Sequence, residues 1–219
     1  MIEAFIFDMD GVIIDSEPMH FEVDRRIMAD YGYPVTQEKL EEYVGMTTPE
    51  LWTAIRAEFG MSQTVEEIVA YQMGHKIEAL RAADMEPIDG IRELLAELKR
   101  AGIPCAVASS SPPAFIEAVL EKFGLRGEFA AVASGEEVPR GKPAPDVFLR
   151  AAELLGANPE RCVVLEDSKH GIDAAKAAGM SCIGFVNPNS GRQDLTRADL
   201  IVDDIRKIRL DDLAKAEEK

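Results

Sequence analysis

The chain has few of the features that mark secreted, membrane or disulfide-rich proteins. Its 219 residues include three cysteines and no Cys-x-x-Cys pair, so neither a disulfide framework nor a zinc ribbon is expected. No run of eighteen apolar residues appears, and no membrane span is predicted. The start, MIEAFIFDMDG, lacks the basic residues and cleavage site of a signal peptide. We therefore expect a cytoplasmic protein.

Positive charge is also scarce. The chain has 24 lysines and arginines against 40 aspartates and glutamates, a formal net charge of −16. Such a surface repels nucleic acid and anionic membranes, so neither is expected as a partner. A phosphorylated substrate would need a local cluster of cations and backbone N–H groups to overcome this field. The three cysteines sit in or beside apolar runs and are expected to be buried: Cys105, Cys162 and Cys182.

Short apolar runs alternate with amphipathic stretches along most of the chain. The runs are Ala4–Phe7, Ile103–Ala108, Phe129–Ala133, Cys162–Leu165, Ser181–Val186 and Leu200–Val202. The helix-like stretches are Ile91–Arg100, Ala114–Phe123, Pro145–Leu155 and Ile172–Ala178. This alternation predicts an α/β fold with a Rossmann-like parallel sheet covered on both faces by helices.

The segment from Ser16 to Asp84 breaks the alternation. It holds no convincing strand, and its apolar residues recur at helical spacing, as at Leu51, Ile55 and Phe59. We predict an all-helical domain of residues 16–84, inserted after the first strand into an α/β core of residues 1–15 and 85–219. The charged tail, Asp211–Lys219, is expected to fray.

Acidic residues follow two of the predicted strands. Asp8 and Asp10 end the first strand in an Asp-x-Asp-Gly sequence, and Glu166 and Asp167 end a later one. Because parallel strands present their carboxyl ends at one rim, these acids are predicted to converge. One carboxylate can attack phosphorus while another handles protons, and acidic pairs suit Mg²⁺. Taken alone, the first pair also fits a solvated turn, and the second fits the start of a helix.

Two further residues suit the binding of a phosphate. Ser109 ends the second strand, and its hydroxyl can bind phosphate together with the backbone N–H groups of the next helix, or simply cap that helix. Lys142 lies in a Gly-Lys-Pro sequence. On the same rim it would neutralise the nucleophile and the transferring phosphoryl group; elsewhere it would be an exposed loop lysine.

Together these motifs resemble the four ordered motifs of the haloacid dehalogenase-like superfamily. The matching residues run from end to end of the chain: Asp8-Met9-Asp10-Gly11, Ser109, Gly141-Lys142-Pro143, and Glu166-Asp167-Ser168 with Gly171. The resemblance is closest to the branch of β-phosphoglucomutase-like and phosphoglycolate phosphatase-like members, in which a helical cap follows the first strand. It implies a magnesium-dependent phosphatase that acts on a small phosphate monoester, and it makes the helical insertion a cap.

The resemblance also implies a role for each matching residue. Asp8 would attack phosphorus and become an aspartyl phosphate, and Asp10 would protonate the leaving group and then activate water or an acceptor hydroxyl. The implied Mg²⁺ ligands are Asp8, the backbone carbonyl of Asp10, Asp167, and Glu166 directly or through water. The implied phosphate-binding residues are Ser109, Ser110 and Lys142. Dehalogenases of the superfamily lack the second aspartate, so Asp10 argues against that activity.

Two activities fit this branch, a phosphatase for a sugar phosphate or related metabolite and a phosphosugar mutase. The mutases carry a cap arginine for a second phosphate, whereas this chain reads Gly45-Met46-Thr47-Thr48 there, which favours the phosphatase. His20, Lys76 and His75 are candidates for substrate binding in the cap, although His20 is equally consistent with a surface histidine. We expect a small phosphorylated metabolite as the partner, and a monomer or weak homodimer.

A signalling receiver domain, a class without catalytic turnover of metabolites, is a third interpretation. Receivers also combine a phosphate-accepting aspartate with acids, a serine or threonine, and a lysine. Their acceptor follows the third strand, however, and they lack a cap. The third predicted strand here is followed by Ser134-Gly135, so this interpretation is set aside.

Overall fold

The computed structural model describes residues 2–41, 43 and 48–210. The chain divides into two compact units, one of Met1–Asp15 with Met85–Lys219 and the other of Ser16–Asp84. The predictions for the tail, Asp211–Lys219, and for Gly45–Thr47 of the cap loop lie outside the described residues. Within the described ranges, no helix has the length and apolar character needed to cross a membrane.

The first unit is built on a sheet of six parallel strands. In chain order they are β1 (Ala4–Phe7), β2 (Cys105–Ser109), β3 (Ala131–Ser134), β4 (Cys162–Glu166), β5 (Ser181–Phe185) and β6 (Leu200–Val202). Their spatial order is β3-β2-β1-β4-β5-β6. The predicted Rossmann-like α/β core is confirmed.

The position of β1 determines where a ligand can bind. Every residue of β1 is buried, as expected of a parallel strand covered on both faces. Phe7, its last residue, pairs with Val107 of β2 on one side and with Leu165 of β4 on the other. The strand order reverses between β1 and β4, and such a switch point opens a crevice at the carboxyl ends of the strands. The residues that follow β1 and β4 therefore border that crevice.

The regular secondary structure of the second unit, among its described residues, is entirely helical. Its helices are α1 (Glu17–Asp30), α2 (Gln37–Glu41), α3 (Thr48–Phe59) and α4 (Val65–Ala82). Trp52 and Ile55 of α3 are fully buried in its core with Ile27 of α1. A capping box starts α4: the Glu67 N–H donates to Thr64 Oγ1 at 3.2 Å, and the Thr64 N–H donates to Glu67 Oε2 at 2.8 Å.

In the described part of the first unit, four helices cover the sheet: α5 (Ile91–Ala101), α6 (Pro113–Lys122), α7 (Asp146–Leu155) and α8 (Lys169–Ala177). They match the predicted stretches to within a few residues. The strand predicted from Ile103 begins instead at Cys105, because the Ile103 N–H donates to the Leu98 carbonyl and so closes the end of α5. All three cysteines are buried and free, as predicted.

Candidate active site

Asp8 stands directly after β1 at the switch point. Its N–H still donates to the Leu165 carbonyl of β4 at 2.9 Å, so the end of the strand fixes its backbone. The side chain is buried. Gly11 follows with φ +80°, a left-handed conformation that lets the chain turn back on itself. The sequence thus places a carboxylate at the carboxyl end of the central strand.

Three buried carboxylates and a lysine meet at this point. Asp8, Glu166 and Asp167 each contribute an oxygen to a group whose members lie within 4.8 Å of one another. Lys142 Nζ lies 2.5 Å from Asp8 Oδ1 and 2.8 Å from Glu166 Oε1. The lysine also stands over the ring of Phe148, 4.8 Å from its centroid. Four residues from three distant stretches of sequence therefore form one ionic cluster.

The cluster contains three carboxylates but one lysine, so its positive charge does not balance its negative charge. Burial raises the pKa of Asp8 well above its usual value, against the opposing charge of Lys142. Burial, with the neighbouring charge of Glu166, raises the pKa of Asp167 to about 7. Burial alone would lower the pKa of Lys142, but the charges of Asp8 and Glu166 outweigh that effect and raise it. Lys142 therefore stays cationic.

The donor set fits a hard divalent cation. Its members offer carboxylate oxygens alone, which suit Mg²⁺ better than they suit softer metals. Burial, and after it the mutual repulsion of the carboxylates, disfavours the ionised forms of Asp8 and Asp167 and raises their pKa values. A divalent cation would relieve that repulsion. Asp8, Glu166 and Asp167 are thus the side chains that could hold a metal.

Glu166 is held by the first turn of α8. The Ser168 N–H and hydroxyl donate to Glu166 Oε2 at 2.7 and 2.9 Å. Ser168 also caps the helix by accepting from the Gly171 N–H at 3.0 Å. A Cβ at position 171 would lie 1.5 Å from Glu166 Oε1, so only glycine fits there. Ser168 is therefore the cap of α8, and Glu166 and Asp167 are not needed for that role.

Serines that follow β2 hold Asp10. Ser111 Oγ donates to Asp10 Oδ2 at 2.7 Å, and Ser109 Oγ lies 3.3 Å from the same oxygen. Ser109 is fully buried and accepts from the Ser111 N–H, while Pro112 occupies the cap of α6. Ser110 is exposed. Ser111 ends the same run of three serines but is not among the site residues predicted from the sequence.

Residues after β5 also reach the cluster and are not among those predicted from the sequence. Ser190 Oγ donates to Asp167 Oδ2. Asn187 Nδ2 donates to the Gly11 carbonyl at 2.9 Å. The sequence signal was weak: an Asn-Pro-Asn-Ser stretch in a polar loop after the fifth strand reads as an ordinary turn. Because the carboxyl ends of parallel strands lie at one rim of the sheet, the loop after β5 could have been expected near Asp8 as well.

Two of the candidate substrate-binding residues of the helical unit, His20 and Lys76, act electrostatically on a buried acid. Asp24 of α1 is 8% exposed and accepts from Gln72 Nε2 of α4 at 2.5 Å. Burial raises the pKa of Asp24, and the charges of Lys76 and His20 and the bond from Gln72 oppose the rise. His20 and Lys76 thus belong to one polar cluster within this unit. His75 instead contacts its own helix, with Nδ1 2.9 Å from the Tyr71 carbonyl oxygen.

Comparison with known proteins assigns the chain to a family. The family model described as haloacid dehalogenase-like hydrolase matches residues 5–185. The chain belongs to that family. Hexitol phosphatase B of Escherichia coli (strain K12) is 37% identical over 195 residues, which cover 86% of this chain and 86% of that protein.

Solved structures agree with the assignment to this family. CbbY from Rhodobacter sphaeroides, in complex with phosphate, has a TM-score of 0.84 and 30% identity and covers 94% of this chain and 96% of its own. β-Phosphoglucomutase from Clostridium difficile has a TM-score of 0.81 and 28% identity, covering 100% and 98%. The predicted superfamily and branch are confirmed, and the chain is a phosphoric monoester hydrolase of the haloacid dehalogenase-like type.

Proposed function

We propose that this haloacid dehalogenase-like hydrolase is a Mg²⁺-dependent phosphatase that hydrolyses a small phosphate monoester through an aspartyl-phosphate intermediate. The observation that carries the proposal is the contact between Lys142 and Asp8 beside the carboxylates of Glu166 and Asp167. A nucleophile, a fixed cation and a set of hard oxygen donors meet at the switch point of the sheet, where the fold presents a crevice.

In the first half of the reaction, a carboxylate oxygen of Asp8 attacks phosphorus and the bond to the leaving alkoxide breaks. Lys142 favours the ionised form of Asp8, and in the transition state it also balances the charge of the phosphoryl oxygens. Ser109, fully buried beside Asp10, is proposed to donate its hydroxyl proton to the same phosphoryl group in place of its contact with Asp10. A Mg²⁺ ion bound by Asp8, Glu166, Asp167 and the Asp10 carbonyl would neutralise the remaining negative charge.

Asp10 acts as the general acid in the first half of the reaction and as the general base in the second. It gives a proton to the departing alkoxide, and it then takes one from the water that attacks the aspartyl phosphate. The second step releases inorganic phosphate, restores the Asp8 carboxylate and returns the proton to Asp10. The hydrogen bond from Ser111 holds the Asp10 carboxylate against the serine run after β2. This contact sets the position from which Asp10 must act.

The substrate class follows from the relatives and from charge. A relative 37% identical is named for a hexitol phosphatase activity, which supports a phosphorylated sugar or sugar alcohol as the substrate. The formal net charge of −16 disfavours long polyanions, whereas one phosphate can be bound locally by Lys142. His20 and Lys76 remain proposed substrate-binding residues of the cap, and Ser110 a proposed phosphate ligand. A cytoplasmic location and a monomeric or weakly dimeric state are likewise proposals.

A phosphosugar mutase is the second candidate, because β-phosphoglucomutase is among the similar structures. A mutase needs a cation in the cap for the phosphate that is not transferred. Thr48, the first residue of α3, is uncharged and stands where the mutase arginine is expected. We therefore favour the phosphatase.

The test is a panel of phosphorylated metabolites, assayed for released phosphate with and without Mg²⁺. We expect sugar and sugar-alcohol monophosphates to be the best substrates and Asp8→Asn to remove their turnover. Asp203→Asn is a matched control, because Asp203 is an exposed aspartate paired with Lys207. Turnover that survives in Asp8→Asn, or that needs no divalent cation, would contradict the proposal.

A further inference from the structure

The loop that follows β5, residues 187–193, is bonded to two other segments of the site. On one side, Asn187 Nδ2 donates to the Gly11 carbonyl at 2.9 Å, and Asn189 Nδ2 donates to Asp15 Oδ2 at 2.5 Å. On the other side, Gln193 Oε1 accepts from the Lys169 N–H at the start of α8, at 3.1 Å. The loop therefore bridges the segment that carries Asp8 and Asp10 to the segment that carries Glu166 and Asp167.

The loop is also braced internally. Asn187 Oδ1 accepts from the Asn189 N–H at 2.8 Å, and the Asn187 carbonyl accepts from the Ser190 N–H at 3.3 Å. Gln193 Nε2 donates to the Ser190 carbonyl at 2.9 Å. Asn187 itself is 7% exposed, so its side chain is part of the packed structure. Both backbone polar groups of Ser190 are thus fixed by residues that are anchored elsewhere.

Ser190 directs its hydroxyl at Asp167. Its Oγ donates to Asp167 Oδ2. The close approach depends on Gly11, since a Cβ there would lie 2.0 Å from Asp167 Oδ2 and 2.8 Å from Ser190 Oγ. A carboxylate that accepts one hydroxyl keeps its other oxygen available, while its rotation about the Cβ–Cγ bond is restricted. Three segments of chain therefore meet at one carboxylate.

We propose that Ser190 is a positioning residue, which holds the carboxylate of Asp167 in the orientation that binds a divalent cation, and that the 187–193 loop is the brace for that contact. The proposal rests on the Mg²⁺ site of the proposed function. Groups that hydrogen-bond to metal ligands typically change metal affinity by 10–100-fold when they are removed. Ser190 acts through Asp167 and is assigned no contact with substrate.

The test measures Mg²⁺ affinity directly, by isothermal titration calorimetry with Mg²⁺ alone as the probe. Ser190→Ala should weaken Mg²⁺ binding by about 10–100-fold. Ser190→Thr keeps the hydroxyl and should lose much less Mg²⁺ affinity than Ser190→Ala does. Ser190→Val has the shape of threonine without the hydroxyl and should behave as Ser190→Ala. Ser181→Ala is the matched control, because Ser181 lies at the opposite, amino-terminal end of β5.

The anchor of the loop gives a second, weaker expectation. Asn189→Ala removes the bond to Asp15 without touching Asp167 and should weaken Mg²⁺ binding by less than Ser190→Ala does. Melting temperatures measured without Mg²⁺ report any loss of general stability in each folded variant, which separates that loss from a loss of metal affinity. If Ser190→Ala does not fold, the Thr and Val pair still decides the question.

Two results would overturn the proposal, and they are distinguishable. Equal Mg²⁺ affinity in Ser190→Val and Ser190→Thr would show that the hydroxyl does not position Asp167, and would leave the phosphatase assignment intact. No Mg²⁺ binding by the unmodified protein would instead overturn the metal dependence of the proposed function, and this inference with it.

Discussion

Ser111 Oγ lies 2.7 Å from Oδ2 of Asp10, although 101 residues separate the two in sequence. The bond ties the proposed general acid–base to the loop after β2. Ser111→Ala should therefore lower kcat by about one to two decades, the value of a hydrogen bond to a charged group, and should change KM little. Steady-state kinetics on a sugar monophosphate give this split.

A variant of Ser111 that keeps the hydroxyl supplies a second test of the contact with Asp10. Ser111→Thr should recover most of the kcat lost in Ser111→Ala. A loss in Ser111→Ala that appears wholly in KM would mean that Ser111 binds substrate and does not orient Asp10.

Asp8 and Asp10 should differ sharply when each is changed to asparagine. Asp8→Asn should abolish turnover, because an amide cannot attack phosphorus. Asp10→Asn should reduce the rate by roughly two to four decades, the usual contribution of general acid–base catalysis. Rapid quenching followed by mass spectrometry should locate a phosphoryl group on Asp8. A phosphoryl group trapped on any other residue would refute the assignment of the nucleophile.

Activity should depend on a divalent cation. Because Asp8, Glu166 and Asp167 are buried within 4.8 Å of one another, a phosphate dianion would meet strong repulsion there without one. Excess chelator should therefore stop phosphate release, and added Mg²⁺ should restore it. Asp167→Ala should shift the Mg²⁺ titration to higher concentration. Full turnover in chelator would count against the metal.

The buried Asp24 of the helical unit should make stability depend on pH. Burial raises its pKa, so the folded state holds this proton more tightly than the unfolded chain does. Stability should then fall as pH rises from the unfolded value, about 4, through the raised folded value, and should stay reduced above it.

Asparagine at position 24 removes the titrating carboxyl group and keeps an oxygen that can accept a hydrogen bond from Gln72. Asp24→Asn should raise the melting temperature at pH 7.5, and the gain should shrink as the pH approaches 4. The exposed pair of Asp203 with Lys207 supplies the control, since Asp203→Asn should shift melting little. A gain from Asp24→Asn that is the same at both pH values would show that protonation is not its cause.

Hydrolysis should outpace isomerisation. A mutase must hold a second phosphate while its intermediate reorients, and losing one charged contact to that phosphate weakens binding by about 1.5–3 kcal/mol, or one to two decades. Thr48 supplies no such charge. We expect net phosphate release and little conversion of β-glucose 1-phosphate to glucose 6-phosphate, in parallel assays primed with the bisphosphate. Faster isomerisation would favour the mutase, with Lys76, His75 or His20 as the source of the missing contact.

The sheet and the ionic cluster could be anticipated because both follow from local rules. Buried runs ended by acids predict strands that present carboxylates at one rim, and the structure brings Asp8, Glu166 and Asp167 together there. For Lys142 the sequence alone left open an exposed loop position, because its loop has no periodicity, and the family motif decided in favour of the rim. The catalytic roles of these residues stay predictions.

The contacts of Ser111 and Ser190 could not be predicted in this way. Each depends on where an irregular loop runs, and that path is fixed by tertiary hydrogen bonds such as that of Asn187 with Gly11. The start of β2 was misplaced for a related reason. Ile103 looks like strand by composition, but its N–H completes the end of α5. The periodicity of apolar residues indicates which side chains are buried. It does not indicate which carbonyl accepts a hydrogen bond from a given backbone N–H.

The pairing of β1 has a consequence for synthesis on the ribosome. Phe7 pairs with Val107 and Leu165, so the central strand has no partner until the chain has grown far past the helical unit. The helical unit, Ser16–Asp84, is complete before β2 is made. The fully apolar β1 therefore stays unpaired while that unit packs its own core. Asp8 can contact Glu166 and Asp167 only after β4 has been synthesised. Nascent chains stopped before β4 should hold a packed helical unit and no phosphatase activity.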